Sequence, residues 1–147
     1  MKTATMIALV CSVCSLASVP VFAASHRGVD PIKTVRLKFE AFDRHDVAAI
    51  ENIYAADATL RSPDYPDLKG NSRIADTYRR VFDAIADAKD NVESLDRSGD
   101  KVYAQFVLTG HLKSAADKPV SVRILSVYTV KGGHIIGDST YYDRKMP

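Results

Sequence analysis

"YAADATLRSPDYPDLKG", residues 54–70, leaves a helical pattern, runs briefly as a strand over "ATLRS", and is stopped by Pro63, Pro66 and Gly70. Ser62 is the last strand position before Pro63, so its side chain stands at the end of whatever surface the strand covers. Two helical patterns precede the stretch and a third follows it. Beyond that helix every further segment has strand character, and this order decides the fold class.

Upstream, "GVDPIKTVRLKFEAFDRHD" opens with Asp30 as N-cap and Pro31 at the first helical position. Ile32, Val35, Phe39 and Phe42 share one face, with Lys33, Arg36, Lys38 and Glu40 on the other. Asp46 then caps a shorter helix, "VAAIENIYAAD", whose Val47, Ile50 and Tyr54 share a face. Downstream, "SRIADTYRRVFDAIADAK" turns Ile74, Tyr78, Val81 and Ile85 inward.

Four strands remain: "NVESLDR", "KVYAQFVLTGHLK", "VSVRILSVYTV" and "HIIGDSTYYD", joined at "SGD", "SAADKP" and "KGG". A three-residue turn at "KGG", with Gly133 in the left-handed region, would set Tyr128 opposite Ile136 and Ser126 opposite Asp138. The central strands are apolar on both faces. Tyr103, Val107, Ile124 and Tyr128 are assigned to one face, and Phe106, Leu108, Leu112, Leu125 and Val127 to the other. A sheet apolar on both faces must be covered on both, so the helices are expected over one and a second copy of the chain over the other, as a homodimer. The expected class is α+β, three N-terminal helices packed on a curved antiparallel sheet, as one domain over residues 30–147.

The N-terminus has a separate role. Lys2, the uncharged apolar stretch "MIALVCSVCSLASVPVF" and a small-residue cleavage site ending at Ala23 make residues 1–23 a secretory signal peptide, with 24–29 a flexible N-terminus. The stretch is short for a membrane span and Pro20 interrupts it, so no stable membrane insertion is expected. Cys11 and Cys14 leave with the signal. The exported chain, periplasmic or secreted, then has no thiol for disulfides, zinc or nucleophilic chemistry. Loss of Lys2 takes the formal charge from +2 to +1, and the charges are interspersed without a basic stripe, which excludes nucleic acid as a partner.

Layout and residues together resemble the nuclear transport factor 2 superfamily. "YAADATLRSPDYPDLKG" is similar to the segment of ketosteroid isomerases and SnoaL-like polyketide cyclases that reads Asp-Ala-Thr, two variable residues, a functional residue, Pro, then Gly before the third helix. "GGHIIGDSTYYDR" is similar to the closing strand of many SnoaL-like proteins. The resemblance implies a cone-shaped fold, and it implies roles for particular positions. In the isomerases the residue before Pro is an Asp that serves as general base, and here it is Ser62. The isomerase's oxyanion donors, a Tyr on the first helix and a protonated Asp on the sheet, fall at Lys38 and Ser126. The cyclases' acid/base His and Asp on the last strand fall at Asp138 and Thr140. The fold is kept and both familiar catalytic sets are altered.

Carried over, the inward face would be lined by Tyr103, Gln105, Val107, Thr109 and His111, then Ile124, Ser126 and Tyr128, then Ile136, Asp138, Thr140 and Tyr142. Such an apolar and aromatic wall with a few polar groups suits a small-molecule site. Asp138 is the leading candidate acid/base, since desolvation raises a carboxyl's pKa, and His111 is its candidate proton-relay partner. No second His stands at ligand spacing from His111, so neither a metal nor a cofactor is expected. Three readings follow: a binder of a small, largely apolar molecule; an isomerase, cyclase or hydratase using Asp138; or a protein-interaction module whose cavity is filled by side chains.

Overall fold

The structure, a computed structural model, describes residues 29–114 and 118–142. The expected signal peptide and the closing Asp143 and Arg144 lie outside the described residues. The elements run α1 (Pro31–Asp43), α2 (Val47–Ile53), β1 (Tyr54–Ser62), β2 (Tyr65–Lys69), α3 (Asn71–Ala84), β3 (Lys89–Ser98), β4 (Lys101–Leu112), β5 (Lys118–Lys131) and β6 (His134–Tyr142). The strands form one six-stranded sheet in the order β2-β1-β6-β5-β4-β3. This is three helices on one sheet, the layout that the resemblance implied. The sheet is mixed where an antiparallel one was expected, because β1 joins β6 in parallel.

The helices start where the chain chemistry says they should. Asp30 accepts the Ile32 N–H at 3.1 Å with Pro31 at the first position, and Asp46 accepts the Ala49 N–H at 2.9 Å. α2 is shorter than its period suggested: Tyr54 ends it in extended backbone and begins β1. Between α1 and α2, His45 is half-buried. Its backbone has φ of 54°, its Nε2 lies 2.9 Å from the Ala88 carbonyl, and its ring stacks on Phe82. The punctuation over residues 65–69 is itself a strand, β2, which folds back on β1 with Ser62 opposite Tyr65.

The core lies between helices and sheet. Val35, Phe39 and Phe42 of α1 and Ile74 of α3 meet Val102, Ala104, Phe106 and Leu108 of β4 and Val122, Tyr128 and Val130 of β5. Phe39 meets the rings of Phe106 and Tyr128 edge-on, at centroid distances of 4.9 and 6.2 Å, the arrangement that ring quadrupoles favour.

The register overturns the expected face of β4. Val102 pairs with Tyr128, Ala104 with Ser126 and Phe106 with Ile124, so the even-numbered residues of both strands face the helices. Tyr103, Gln105, Val107, Thr109 and His111 therefore face away from the core. Their outward placement has a simple cause: β4 is apolar on both faces, so its own alternation cannot choose between them, and one residue of loop length flips the whole strand.

At the last turn the loop has two residues, not three. Lys131 pairs with His134 across Gly132 and Gly133, whose φ values of 57° and 82° give the doubly left-handed turn that matches strand twist. A bulge at Ile136 follows. It brings Ile135 into the core in place of Ile136, and pairs Tyr128 with Asp138 and Ser126 with Thr140. That is two residues from the expected register, so Asp138 and Thr140 keep the inner face while their partners change.

Candidate functional site

The open end of the cone holds a cavity of about 140 Å³. Its wall is mainly Phe42 and Leu60, Val81 from α3, Phe106 and Leu108 from β4, and Val122 and Ile124 from β5. Of the residues expected there, Lys38, Ser62, Ile124, Ser126, Tyr128, Thr140 and Tyr142 line it. Ser62, Tyr65 and Tyr142 are half-buried and Asp64 is exposed, which marks them as the mouth. There the Tyr142 hydroxyl donates to Asp64 and lies 3.0 Å from Ser62 Oγ, and burial pushes the Tyr142 phenol up to about 12. Ser62 thus meets a phenol, with the Asp64 carboxylate one hydrogen bond beyond it.

At the deep end stands a charged pair. Lys38, 2% exposed, places Nζ 3.2 Å from Asp90 Oδ2 on β3. The ammonium lies 4.4 Å from the ring centroid of Phe39 and 5.1 Å from those of Phe42 and Tyr78, with Phe106 and Tyr128 slightly farther. Contacts of this kind attract a cation to the ring faces. Burial raises the Asp90 carboxyl above its ordinary range, against the pull of Lys38. The sequence reading placed Lys38 on the outer helix face, although it stands three residues from Val35 and four from Phe42, within the buried stripe. Asp90 lay just ahead of the strand pattern and carried no signal of its own.

Asp138 is 2% exposed and sits one layer behind the cavity wall. Tyr54 donates to its Oδ2 at 2.7 Å and Thr140 to its Oδ1 at 3.1 Å. Each hydroxyl has one proton, so the proton between Tyr78 and Tyr54, 2.9 Å apart, belongs to Tyr78, and that between Ser126 and Thr140, 2.8 Å apart, belongs to Ser126. Two hydroxyl chains converge on one carboxylate. Tyr78, Thr140 and Ser126 line the cavity, so the charge of Asp138 reaches it as the direction in which those hydroxyls point. Burial raises the Asp138 carboxyl, with the Tyr54 hydrogen bond opposing, and burial also lifts Tyr54, Tyr78 and Tyr128 well above the ordinary phenol value. At neutral pH those phenols remain donors.

His111 does not join this group. It is exposed at the end of β4, where its backbone N–H and its Nδ1 both meet the Asp87 carboxylate at 2.7 Å. This contact holds Asp87 below its ordinary range and leaves His111 as no relay for Asp138. Tyr103, Gln105, Val107 and Thr109 likewise lie outside the cavity. Asp90, Tyr78, Leu108 and Val122 line it unforeseen: Leu108 because the even face of β4 was assigned outward, and Val122 because the inward face of β5 was read only from Ile124 onward. Among the described residues no group of three His, Cys, Asp or Glu side chains could hold a metal ion, and no helix is long and apolar enough to cross a membrane.

A family model described as a SnoaL-like domain matches residues 35–137. No curated protein matches the sequence. Among solved structures, the chain is similar to a protein of ketosteroid isomerase-like fold from Catenulispora acidiphila in complex with trimethylamine, at TM-score 0.70 and 24% identity over 76% of this chain and 85% of that one. It is similar to a nuclear transport factor 2-like protein of unknown function from Burkholderia pseudomallei, at TM-score 0.70 and 18% identity over 78% and 92%. An epoxide hydrolase from M. tuberculosis aligns at TM-score 0.67 and 17% identity, over 77% and 82%. At such identities the neighbours speak for the fold, while the family match spans most of the chain, from within α1 to within β6. The chain belongs to the SnoaL-like domain family.

Proposed function

We propose that this chain is an exported domain that binds a small, largely apolar molecule in its cone. The observation carrying this reading is the cavity of about 140 Å³, apolar along its walls and polar only at Lys38 with Asp90, at the hydroxyls tied to Asp138, and at the mouth. Its size is close to that of an engineered cavity of about 150 Å³ that takes benzene. The Catenulispora neighbour was solved in complex with trimethylamine, a small molecule. Open space of this size makes a filled-cavity interaction module the weaker reading.

A second reading, an acid/base enzyme of the isomerase, cyclase or hydratase kind, is favoured by the two hydroxyl chains that end on Asp138. A ligand hydroxyl at Ser126 or Tyr78 could pass its proton down either chain without touching the carboxylate.

Homodimerisation is part of the proposal. Val92, Tyr103, Leu125 and Tyr141 stand exposed on the described surface, Tyr103 and Leu125 on the outer face of the β4–β5 pair. The expected patch is thereby corrected, since Phe106 and Leu108 face inward and Tyr103 and Tyr141 take their place. Native mass spectrometry of protein recovered from its own cell envelope reads all of this at once. A processed chain beginning at Ala24 or Ser25, twice the chain mass and a retained small molecule are expected. An unprocessed, ligand-free monomer would reject export, pairing and binding together.

The cavity itself is tested by filling it. Val81 is half-buried on α3 and lines the space, so Val81→Phe is expected to keep the fold and weaken ligand affinity by about tenfold, ~1.4 kcal/mol. Unchanged affinity by calorimetry would place the ligand elsewhere.

A further inference from the structure

Lys38 has more donors than the fold uses. Its ammonium carries three N–H groups, and Asp90 is its hydrogen-bond acceptor among the described residues. The other two are left to aromatic faces and to the cavity, which both Lys38 and Asp90 line. A buried ion pair is a costly way to hold a helix against a sheet, since apolar residues of similar volume often do as well or better. The pair is also placed where a ligand can reach it. A lysine desolvated in an apolar pocket is the arrangement from which its amine acts as a nucleophile toward carbonyl groups, and the adjacent carboxylate gives the ammonium proton a place to go.

We propose that Lys38 forms an imine with a small aldehyde or ketone bound in the cone. The inference rests on the cavity being a binding site, and it names the ligand's chemical class. The Nζ proton passes to Asp90 Oδ2 across their 3.2 Å contact, leaving a free lone pair on nitrogen. That pair forms the C–N bond as the carbonyl π pair moves onto oxygen, and one nitrogen proton transfers to that oxygen to give a carbinolamine. Asp90 then returns its proton to the departing hydroxyl, the C–O bond breaks with loss of water, and the nitrogen lone pair closes the C=N bond.

The product is a protonated imine beside an ionised Asp90. One cation and one carboxylate stand there before and after. The rings of Phe39, Phe42 and Tyr78 that face the ammonium face the iminium equally, and the apolar wall limits the water that would hydrolyse it. No oxidant, reductant or metal enters.

Benzaldehyde is a suitable probe for a space that matches a six-membered ring. The full chain is incubated with it and cyanoborohydride at neutral pH, and the labelled lysines are mapped by peptide mass spectrometry against the exposed Lys33 and Lys69. Lys38 is expected to label about tenfold or more faster than either, as a desolvated nucleophile should. Asp90→Asn should slow Lys38 and leave the exposed lysines unchanged. Benzyl alcohol, the same ring without a carbonyl, should bind by NMR titration and slow labelling of Lys38 alone. If benzyl alcohol binds in the cavity but Lys38 labels no faster than Lys33, the imine is overturned and the binding site stands. If benzyl alcohol does not bind and does not protect Lys38, the cavity reading fails with it. Wild-type mapping decides the matter even where Asp90→Asn folds poorly.

Discussion

Asp90→Ala is expected to cost about 3–5 kcal/mol of folding stability, the cost of stranding a buried charge by removing its partner. Lys38 is 2% exposed and Asp90 is the carboxylate it hydrogen-bonds, so truncation of Asp90 leaves an ammonium in an aromatic box without its hydrogen-bonded partner, with only the more distant charge of Asp138 to oppose it. The ring faces compensate only in part, at about 0.5–2 kcal/mol for a cation over aromatic rings. Removing both charges should behave differently. Lys38→Met combined with Asp90→Leu is expected to recover most of the loss, because the pair's desolvation penalty disappears with it. Urea denaturation of the two single variants and the double variant measures the coupling directly. A single variant as stable as wild type would mean that the charges are not in contact, and would remove the deep end of the site as described.

The second large effect is at Asp138. Asp138→Asn should weaken binding of a hydroxyl-bearing ligand, or the rate of any acid/base step, by about tenfold or more, ~1.4 kcal/mol, the scale of a hydrogen bond to a charged group. The carboxylate accepts from both Tyr54 and Thr140. An amide can accept from one and must donate to the other, so one hydroxyl chain reverses and the cavity wall changes polarity. The effect is transmitted, since Asp138 stands behind Thr140 and Tyr54 and does not line the space.

The same variant has a pH signature. Burial raises the folded-state pKa of Asp138 above its ordinary value near 3.8. The folded protein then holds this proton more tightly than the unfolded chain. Stability contributed by the protonated form is fully present below the ordinary carboxylate range, and is lost as pH rises through the raised folded value. Asp90, also raised, acts in the same sense. The wild type should therefore lose stability over that interval, and Asp138→Asn should show a shallower loss, the difference belonging to Asp138. Denaturation midpoints taken across the acid range test it, and parallel curves would show that Asp138 does not titrate as the geometry requires.

Much of the architecture was already legible in the residues. Asp30 with Pro31 and Asp46 mark two helix starts by local hydrogen bonding, and the helical period marks α1 and α3, because these signals depend on neighbours within a few positions. The run of strands after residue 89, and hence the α+β class and the SnoaL-like layout, follows from the same local alternation.

What local pattern could not supply was any choice that depends on distant partners. β4 is apolar on both faces, so only its pairing with β5 decided that Phe106 and Leu108 face the helices and that Tyr103, Gln105, Val107, Thr109 and His111 do not. The two-glycine turn and the bulge at Ile136 set Asp138 opposite Tyr128, a consequence of one inserted residue that no spacing rule announces. Lys38 meets Asp90 across 52 positions of sequence, and Tyr54 meets Asp138 across 84. The sequence determined the elements other than β2 and the polarity of most faces. Tertiary packing alone decided which polar groups share the cavity, because burying a charge or a hydroxyl is tolerated only where a partner from elsewhere in the chain is brought within hydrogen-bonding distance.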